Sequence, residues 1–214
     1  MKRSILTIAI ALIVTFSSFA NDDQKYYEIM GKTIKEMFSA TDAAEVQASL
    51  NMFERISNAE ADKWEPAYYT AFAYLKLYEL AESAADKDAI IDKAIASVNE
   101  GLKIAENEDE LITMKGYVYM MKMVLDPMNR APEYSPIIIG SYQKALTIDP
   151  NNPRAWYLLG QMQLGTASFT GGSTDQGCAS ISKAVENFKN DKSENPIAPS
   201  WGESGAEEAT QQCR

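Results

Sequence analysis

Histidine is absent from the 214-residue sequence, and its absence excludes several kinds of chemistry. Without an imidazole the chain cannot build a Ser-His-Asp triad or a Cys-His pair. It also cannot form the zinc and non-haem iron sites that depend on histidine ligands. The acidic pairs Asp22-Asp23 and Glu207-Glu208 do not have the spacing of a calcium loop. The sequence therefore predicts no metal site, no cofactor and no catalytic residues.

Runs of basic residues are missing as well. The formal net charge is −10, and no run of Lys and Arg is longer than a pair. Phosphate backbones and anionic lipid headgroups are bound by clustered positive charge, and an acidic surface repels them. We therefore expect no nucleic-acid partner.

The first twenty residues have the pattern of a secretory signal peptide. Lys2 and Arg3 precede an apolar run from Ile5 to Phe16, and Ser18-Phe19-Ala20 is a small-x-small cleavage signal. An uncleaved anchor is the alternative, but the run is shorter than the roughly 20 residues that span a bilayer. We expect cleavage after Ala20, a periplasmic or secreted protein, and no membrane insertion once the signal is removed. Removing two positive charges changes the net charge from −10 to −12.

Only two cysteines, Cys178 and Cys213, are present. In an exported chain two cysteines form one disulfide more often than a catalytic site. A bridge between them would close a loop of about 35 residues and stabilise the fold by roughly 4 kcal/mol on the chain-entropy model. Two unpaired thiols are the alternative.

Apolar residues recur at helical spacing along the chain, and no stretch alternates long enough to predict a strand. The sequence predicts an all-α fold with helices at residues 25–39, 42–58, 64–80, 88–105, 109–125, 137–148, 153–164, 178–190 and 203–212. Three prolines between Asp126 and Pro136 predict a long connection there. The Gly-, Ser- and Thr-rich composition of Gly165 to Gly177 predicts a loop in which Phe169 packs and Asp175 caps the next helix. Asn195 to Gly202 is predicted to be extended.

Small residues repeat at a regular interval in these helices. Ala71, Gly116 and Gly160 occupy equivalent points, 45 and then 44 residues apart, and an aromatic residue or a glutamine follows each by three positions. In the helices that pair with these, Ile56, Gly101, Ala145 and Ala184 occupy the positions where close helix pairing favours a small residue. A residue with little side chain lets paired helices approach closely, so these positions predict stacked helical hairpins.

The segment Ser141 to Leu164 closely resembles the tetratricopeptide (TPR) repeat. Trp156, Leu159 and Gly160 reproduce its W-x-x-L-G signature, and Pro150 closes the unit. Nearly the whole mature chain also resembles a group of small exported bacterial TPR proteins, most of which have no assigned activity. The residues that carry this wider resemblance are Asn152-Pro153-Arg154, Phe169, Gly171-Gly172, Cys178, Pro199-Ser200-Trp201-Gly202 and Cys213.

The resemblance implies a TPR-like α-solenoid of about three helical hairpins, with a helix before them and an extension after them. The expected divisions are a signal peptide at 1–20, a repeat domain at 21–190 and an extension packed on the last repeat at 191–214. The concave surface of such a solenoid is lined by outward positions of the first helix of each hairpin. In this chain the predicted partner-binding residues are Tyr68, Phe72, Lys76, Thr113, Tyr117, Met120, Arg154, Tyr157 and Gln161.

A groove lined by aromatic side chains and single polar groups suits a peptide or protein partner, and Arg154 could hold a carboxylate. The alternative is that the first helix or the C-terminal tail already covers this face. We therefore expect a non-enzymatic interaction or scaffold module of the cell envelope. A histidine-free hydrolase with two carboxylates near Gly165 to Gly177 is a second possibility. A structural role through the apolar tail around Trp201 is a third.

Overall fold

The computed structural model describes residues 23–213, so the predicted signal peptide lies outside the described residues. Within that range the chain forms nine α-helices and no strand, which confirms the predicted fold class. Helix α1 covers residues 23–39. The others are α2 Ala43–Ala59, α3 Glu65–Leu80, α4 Ala84–Ile104, α5 Asp109–Val124, α6 Pro127–Ile148, α7 Pro153–Thr170, α8 Asp175–Phe188 and α9 Glu203–Ala209, followed by a 3₁₀ turn at Thr210–Cys213. No helix in residues 23–213 combines the length and apolar character needed to cross a bilayer.

Side-chain caps fix where several helices begin. The Asp42 carboxylate accepts hydrogen bonds from the Ala44 and Glu45 amides, both at 2.9 Å. Asn152 accepts from the Ala155 amide at 2.8 Å at the start of α7. Each such cap satisfies an otherwise unpaired amide and stabilises its helix by about 1 kcal/mol.

The helices pack as three hairpins, α3 with α4, α5 with α6 and α7 with α8, preceded by α1 and α2. The predicted small residues are contact points within these hairpins. A Cβ on Gly116 would overlap the Tyr142 ring, and a Cβ on Gly160 would lie 2.7 Å from Ile181 Cδ1. Tyr142 and Ile181 are themselves completely buried. Close helix approach at Gly116 and Gly160 is therefore part of the fold.

The predicted connection from Asp126 to Pro136 is wrong, because α6 already begins at Pro127. Pro127 occupies the first helical position, where its missing amide costs no hydrogen bond. Pro132 and Pro136 lie four residues apart on the exposed side of the helix, in line with the exposed Met128. The carbonyls that lose a partner, those of Met128 and Pro132, therefore lie on the face of α6 nearest to water.

An ion-pair network also holds the proline-rich start of α6. The Arg130 guanidinium lies 2.6 Å from an Asp88 carboxylate oxygen and donates to the Lys122 carbonyl at 2.9 Å. The Lys122 ammonium, which is mostly buried, contacts Asp88 at 2.9 Å and Asp92 at 2.7 Å. Because these residues belong to α4, α5 and α6, the network fastens the first turns of α6 to both neighbouring helices.

The predicted loop from Gly165 to Gly177 is also largely wrong. Helix α7 continues through Thr170, and the connection is only the four residues 171–174. Buried Leu164 and Ala167 hold the added turns, and Gly171 ends the helix with a φ of +71°, a left-handed conformation that glycine adopts without strain. Phe169 is 69% exposed and does not pack. Thr174, and not Asp175, is the residue that precedes α8.

Residues 189–202, here called the strap, leave α8 and run back to α3. They are not fully extended as predicted: Asn195 to Ala198 form a turn, in which the Ala198 amide donates to the Asn195 carbonyl at 3.1 Å. After the strap, α9 packs on α8 through the buried Ala206 and Ala209. The predicted disulfide joins Cys178 in α8 to Cys213, with the two Cα atoms 5.5 Å apart.

Candidate functional site

The nine predicted partner-binding residues come from the first helices of the three hairpins, α3, α5 and α7. Tyr68, Thr113 and Arg154 are buried. The other six are half-buried: Phe72, Lys76, Tyr117, Met120, Tyr157 and Gln161. Two parts of the chain cover this face: the C-terminal segment, and Phe38 of α1, whose ring packs on Phe72 with centroids 5.2 Å apart.

Trp201 of the strap is the centre of these contacts. Its indole Nε1 donates a hydrogen bond to the Tyr68 hydroxyl at 2.8 Å. Its ring stacks on Tyr117 with centroids 5.7 Å apart and an interplanar angle of 27°, and it packs at a tilt against Phe72 at 5.4 Å. One strap residue therefore contacts three of the predicted face residues, two from α3 and one from α5.

Ile197 is the second anchor of the strap. Its side chain is 2% exposed and belongs to the core formed with α1 to α5. The Tyr69 hydroxyl donates to the Ile197 carbonyl at 2.7 Å, and the Asn195 side-chain amide donates to the Glu65 carboxylate at 3.2 Å. Tyr69 and Ile197 were not predicted as site residues, because nothing in their sequence neighbourhoods points across the 128 residues between them.

A buried charge cluster lies where α5, α7 and the strap begin. Arg154 is 4% exposed, and its guanidinium contacts Glu110 at 2.8 Å and Asp191 of the strap at 2.7 Å. The Asn152 side-chain amide donates to Glu110 at 2.9 Å and to Asp109 at 2.6 Å. Arg154 does hold carboxylates, but those seen here belong to its own chain.

Two carboxyl groups near this cluster have shifted pKa values. Burial raises the pKa of Glu110 to about 7, although the neighbouring Arg154 guanidinium acts in the opposite direction. Burial, together with the negative charge of Asp109, raises the pKa of Glu108 to about 7. Within residues 23–213, one oxygen of Glu110 is buried without a hydrogen-bond partner. A proton on Glu110 is therefore favoured more in the folded protein than in the unfolded chain.

A cleft of about 780 Å³ adjoins the cluster, between the starts of α5 and α7 and the strap. Its lining includes more carboxylates than cations: Glu108, Asp109, Glu110, Asp149, Asp191 and Glu203 face only Arg154 and Lys192. Such a lining does not favour an anionic ligand. The described part of the chain has no group of three or more Cys, Asp or Glu side chains arranged to hold a metal ion.

The third hairpin is covered by α9. Gly205 lies directly over Tyr157, since a Cβ at this glycine would be 2.7 Å from the Tyr157 hydroxyl oxygen. Tyr157 and Gln161 are half-buried beside α9 and the 3₁₀ turn. Elsewhere on the face, the Lys76 ammonium donates to the Phe38 carbonyl at 3.4 Å, and Met120 lies 4.0 Å from the Tyr142 hydroxyl. The strap and α9 together occupy much of the predicted concave surface.

The segment from Gly165 to Gly177 does not form the pair of carboxylates that the hydrolase alternative placed there. The segment from Gly165 to Gly177 contributes one carboxylate, Asp175, which is exposed on the first turn of α8. The two carboxyl groups with raised pKa values, Glu108 and Glu110, lie at the start of α5 instead. No pair of carboxylates with opposed pKa values is thus found in that segment.

Comparison with known proteins agrees with the helical repeat. A family model described as a TPR repeat matches residues 139–165, which join α6 to α7. The HusA haemophore from Porphyromonas gingivalis superposes with a TM-score of 0.76 at 23% identity, over 88% of this chain and 92% of that one. A thermophilic TPR protein from Thermus thermophilus superposes with a TM-score of 0.54 at 17% identity, over 68% and 67%. No curated protein matches by sequence. The chain is a TPR-like helical repeat protein.

Proposed function

We propose that this TPR-like protein is an exported, non-enzymatic binding module that holds a peptide or protein partner on its concave, aromatic-lined face. The observation that carries the proposal is that this face already holds a non-helical segment of polypeptide, the strap. The strap is bound there by stacking on Tyr117, by the Tyr68 hydroxyl and by the Tyr69 hydroxyl. A surface that can bind one such segment has the chemistry to bind another.

The side chains on this face suit peptide recognition for a physical reason. Tyrosine and phenylalanine provide large apolar area with few rotatable bonds, so little conformational entropy is lost on binding. The Tyr68 and Tyr69 hydroxyls add direction, because each forms a hydrogen bond with the strap while its ring remains in the core. Apolar area fixed by a few directed hydrogen bonds is typical of the central residues of protein interfaces.

Two observations support a location in the cell envelope or outside the cell. The Cys178–Cys213 disulfide is of the kind that persists in oxidising compartments such as the periplasm. The sequence of residues 1–20 has the pattern of a signal peptide. Mass spectrometry of the protein from cell fractions should find a mature N-terminus at Asn21 and the disulfide intact.

The binding proposal is tested by affinity capture from envelope extract with the mature chain and two variants. Tyr117→Ala removes an aromatic ring of the concave face, so captured partners should be lost. Tyr119→Ala removes the same ring from the same helix, but Tyr119 packs on Tyr134 of α6. It serves as the matched control and should capture the same proteins as the wild type. The proposal fails if the Tyr117→Ala and wild-type captures are identical.

A tetrapyrrole ligand is a second candidate, favoured by the superposition on a haemophore over 88% of the chain. A flat macrocycle could stack on Tyr117 and Phe72, but it would have to take the place of Trp201. Because histidine is absent and both cysteines are bridged, an iron ligand from this chain would be a tyrosine or a methionine. The residues of those types predicted on this face are Tyr68, Tyr117, Met120 and Tyr157.

Titration with haemin, followed by its main visible absorption band, tests this candidate. Binding at the face should saturate at one haemin per chain, and Tyr117→Ala should weaken it while Tyr119→Ala does not. Iron-free protoporphyrin distinguishes stacking alone from an axial iron bond. A titration with no saturable absorption change rules the candidate out and leaves the peptide proposal untouched.

A further inference from the structure

The strap itself indicates what kind of segment the concave face recognises. We propose that the partner presents an uncharged, proline-containing segment in which an aliphatic residue is followed four positions later by tryptophan, and that this segment exchanges with the strap. The inference rests on the proposed function, because it names the partner class for the same face. It is based on how residues 195–202 are bound.

The strap packs against the face through three side chains. Ile197 and Pro199 are buried, and the half-buried Trp201 is packed between Phe72 and Tyr117. Between and before them, Pro196 and Ser200 are exposed. A segment recognised by the same face must therefore match Ile197, Pro199 and Trp201 and their spacing, while its outward positions are free to vary.

The backbone of the strap is held by few hydrogen bonds, which makes it suitable for exchange. The Ile197 carbonyl accepts from Tyr69, and the turn at Asn195 is closed within the strap itself, by Ile197 and Ala198 amides that donate to Asn195. An incoming segment with proline at the position of Pro196 would bring its own preformed turn. It would replace three hydrogen bonds to the face, which involve the Ile197 carbonyl, the Asn195 side-chain amide and the Trp201 indole N–H.

Both ends of the strap permit movement without unfolding the repeats. Residues 191–194 are exposed, and the ion pair between Asp191 and Arg154 at 2.7 Å is the contact that must open at this end. Gly202 has a φ of +106°, a conformation that glycine tolerates and other residues avoid, and the backbone turns there from the strap into α9. Beyond Gly202, α9 stays attached to α8 through the disulfide. The strap can therefore leave the face as a tethered loop.

Tethering also predicts why a free segment would bind the wild type poorly. A segment attached at both ends by short linkers has an effective concentration in the millimolar range at its own site. A free segment that makes equal contacts must exceed that concentration to compete. Weakening the anchor of the strap removes the competitor without removing the residues of the face.

The test uses a fluorescein-labelled peptide with the sequence of residues 195–202 and the full mature chain. Fluorescence anisotropy should show binding to Trp201→Ala at least tenfold tighter than to the wild type. Ser200→Ala changes an exposed residue of the same segment and is the matched control, so it should bind the peptide as the wild type does. A peptide in which the tryptophan is replaced by alanine should bind neither protein.

Circular dichroism and a thermal melt establish that Trp201→Ala is folded before binding is measured. If it does not fold, Trp201→Phe replaces it, since phenylalanine keeps an aromatic ring but lacks the N–H that bonds to Tyr68. That variant should show a smaller gain in peptide affinity. A folded variant that binds the peptide no better than the wild type overturns the inference.

The outcomes separate this inference from the proposed function. If partner capture depends on Tyr117 but neither Trp201→Ala nor Trp201→Phe binds the peptide, the proposed function stands. The inference that the partner segment resembles the strap is then rejected. If Trp201→Ala binds the peptide but extracts yield no partner whose capture depends on Tyr117, the inferred peptide preference stands. The proposed function is then contradicted.

Discussion

The glycine contacts inside the hairpins and the contacts that hold the strap are of opposite kinds. Within the hairpins, Gly116 and Gly160 leave room for the Tyr142 ring and the Ile181 side chain, so shape alone decides the fit. The strap is held by aromatic rings with polar ends, by Tyr hydroxyls, by the Arg154 ion pair to Asp191 and by a disulfide beyond it.

This difference separates a permanent part of the molecule from an exchangeable one. A glycine contact has no group that can titrate, be reduced or be replaced by a ligand. The contacts of the strap can change in each of these ways. The close contacts at Gly116 and Gly160 do not involve the strap, whereas Tyr68 and Tyr69 belong both to the core and to the contacts of the strap.

Removing the covalent tether should have the largest effect. Replacing both cysteines, as Cys178→Ser with Cys213→Ser, should lower the free energy of unfolding by about 4 kcal/mol on the chain-entropy model, since the bridge spans 35 residues. Urea unfolding measures the loss, and hydrogen exchange should show it first at α9 and the strap. An unchanged unfolding midpoint would mean that the tether does not stabilise the fold.

Filling a glycine contact should be the next largest effect and should damage the hairpin interior. Gly160→Leu should cost about 3 kcal/mol, because the new side chain has no room beside Ile181. Gly165→Leu on the same helix is the matched control, since nothing lies within 4 Å of a Cβ there. It should gain up to about 1 kcal/mol from helix propensity. Equal unfolding free energies for the two variants would contradict the role of close approach at Gly160.

Changing pH should act on the charge cluster at the start of the strap. Because burial raises the pKa of Glu110 to about 7 from an ordinary value of 4.5, the folded protein keeps a proton that the unfolded chain has lost. This contribution to stability is complete below pH 4.5 and disappears as the pH rises through 7, by on the order of 1 kcal/mol per pH unit.

Urea unfolding at several pH values checks this prediction. In Glu110→Gln the fall in stability between pH 5 and 7 should be smaller than in the wild type. Glu106→Gln changes an exposed carboxylate just before the same helix and should leave the slope as it is. A wild-type slope that survives in Glu110→Gln would assign the effect to another group.

Removing single hydroxyls should give the smallest effects and compare the two regions directly. Tyr69→Phe should cost about 1 kcal/mol, because it leaves the Ile197 carbonyl without its donor. Tyr142→Phe should cost almost nothing, since that hydroxyl has only a 4.0 Å contact with the Met120 sulfur. Thermal unfolding can rank the two variants. A larger loss of stability in Tyr142→Phe than in Tyr69→Phe would mean that the hydroxyl inside the hairpin is the more stabilising of the two.

The helical scaffold could be predicted because its signals are local. Caps such as Asp42 and Asn152 lie within three residues of the amides they satisfy. The glycine contacts repeat at an interval that the sequence displays, and two cysteines allow only one intramolecular pairing. Helix periodicity carries this information without any knowledge of distant contacts.

The misplaced helix ends came from treating proline and glycine as helix breakers wherever they occur. Pro132 and Pro136 are tolerated because their four-residue spacing keeps them on the exposed face of α6. Gly165 is tolerated because buried Leu164 and Ala167 hold the helix on either side of it. The spacing of the prolines was visible in the sequence, whereas the burial that rescues Gly165 was not.

The position of the strap could not be predicted, because its contacts have no local signal. Trp201 bonds to Tyr68 across 133 residues, and Ile197 bonds to Tyr69 across 128. No periodic pattern in residues 195–202 indicates which helix they contact. The sequence left open whether the first helix or the C-terminal tail covers the predicted face, and the contacts of Trp201 with that face are evident only from the structure.

The course of the strap also determines how the whole molecule should come apart. A stack of repeats in which each contacts only its neighbours can fray from an end, one repeat at a time. Here residues that follow the last hairpin are anchored in the first, so loosening α7 and α8 also loosens the contacts of α3. Cooperativity should therefore extend over the entire array, and calorimetry should record one sharp unfolding transition where an open solenoid of this length could show several.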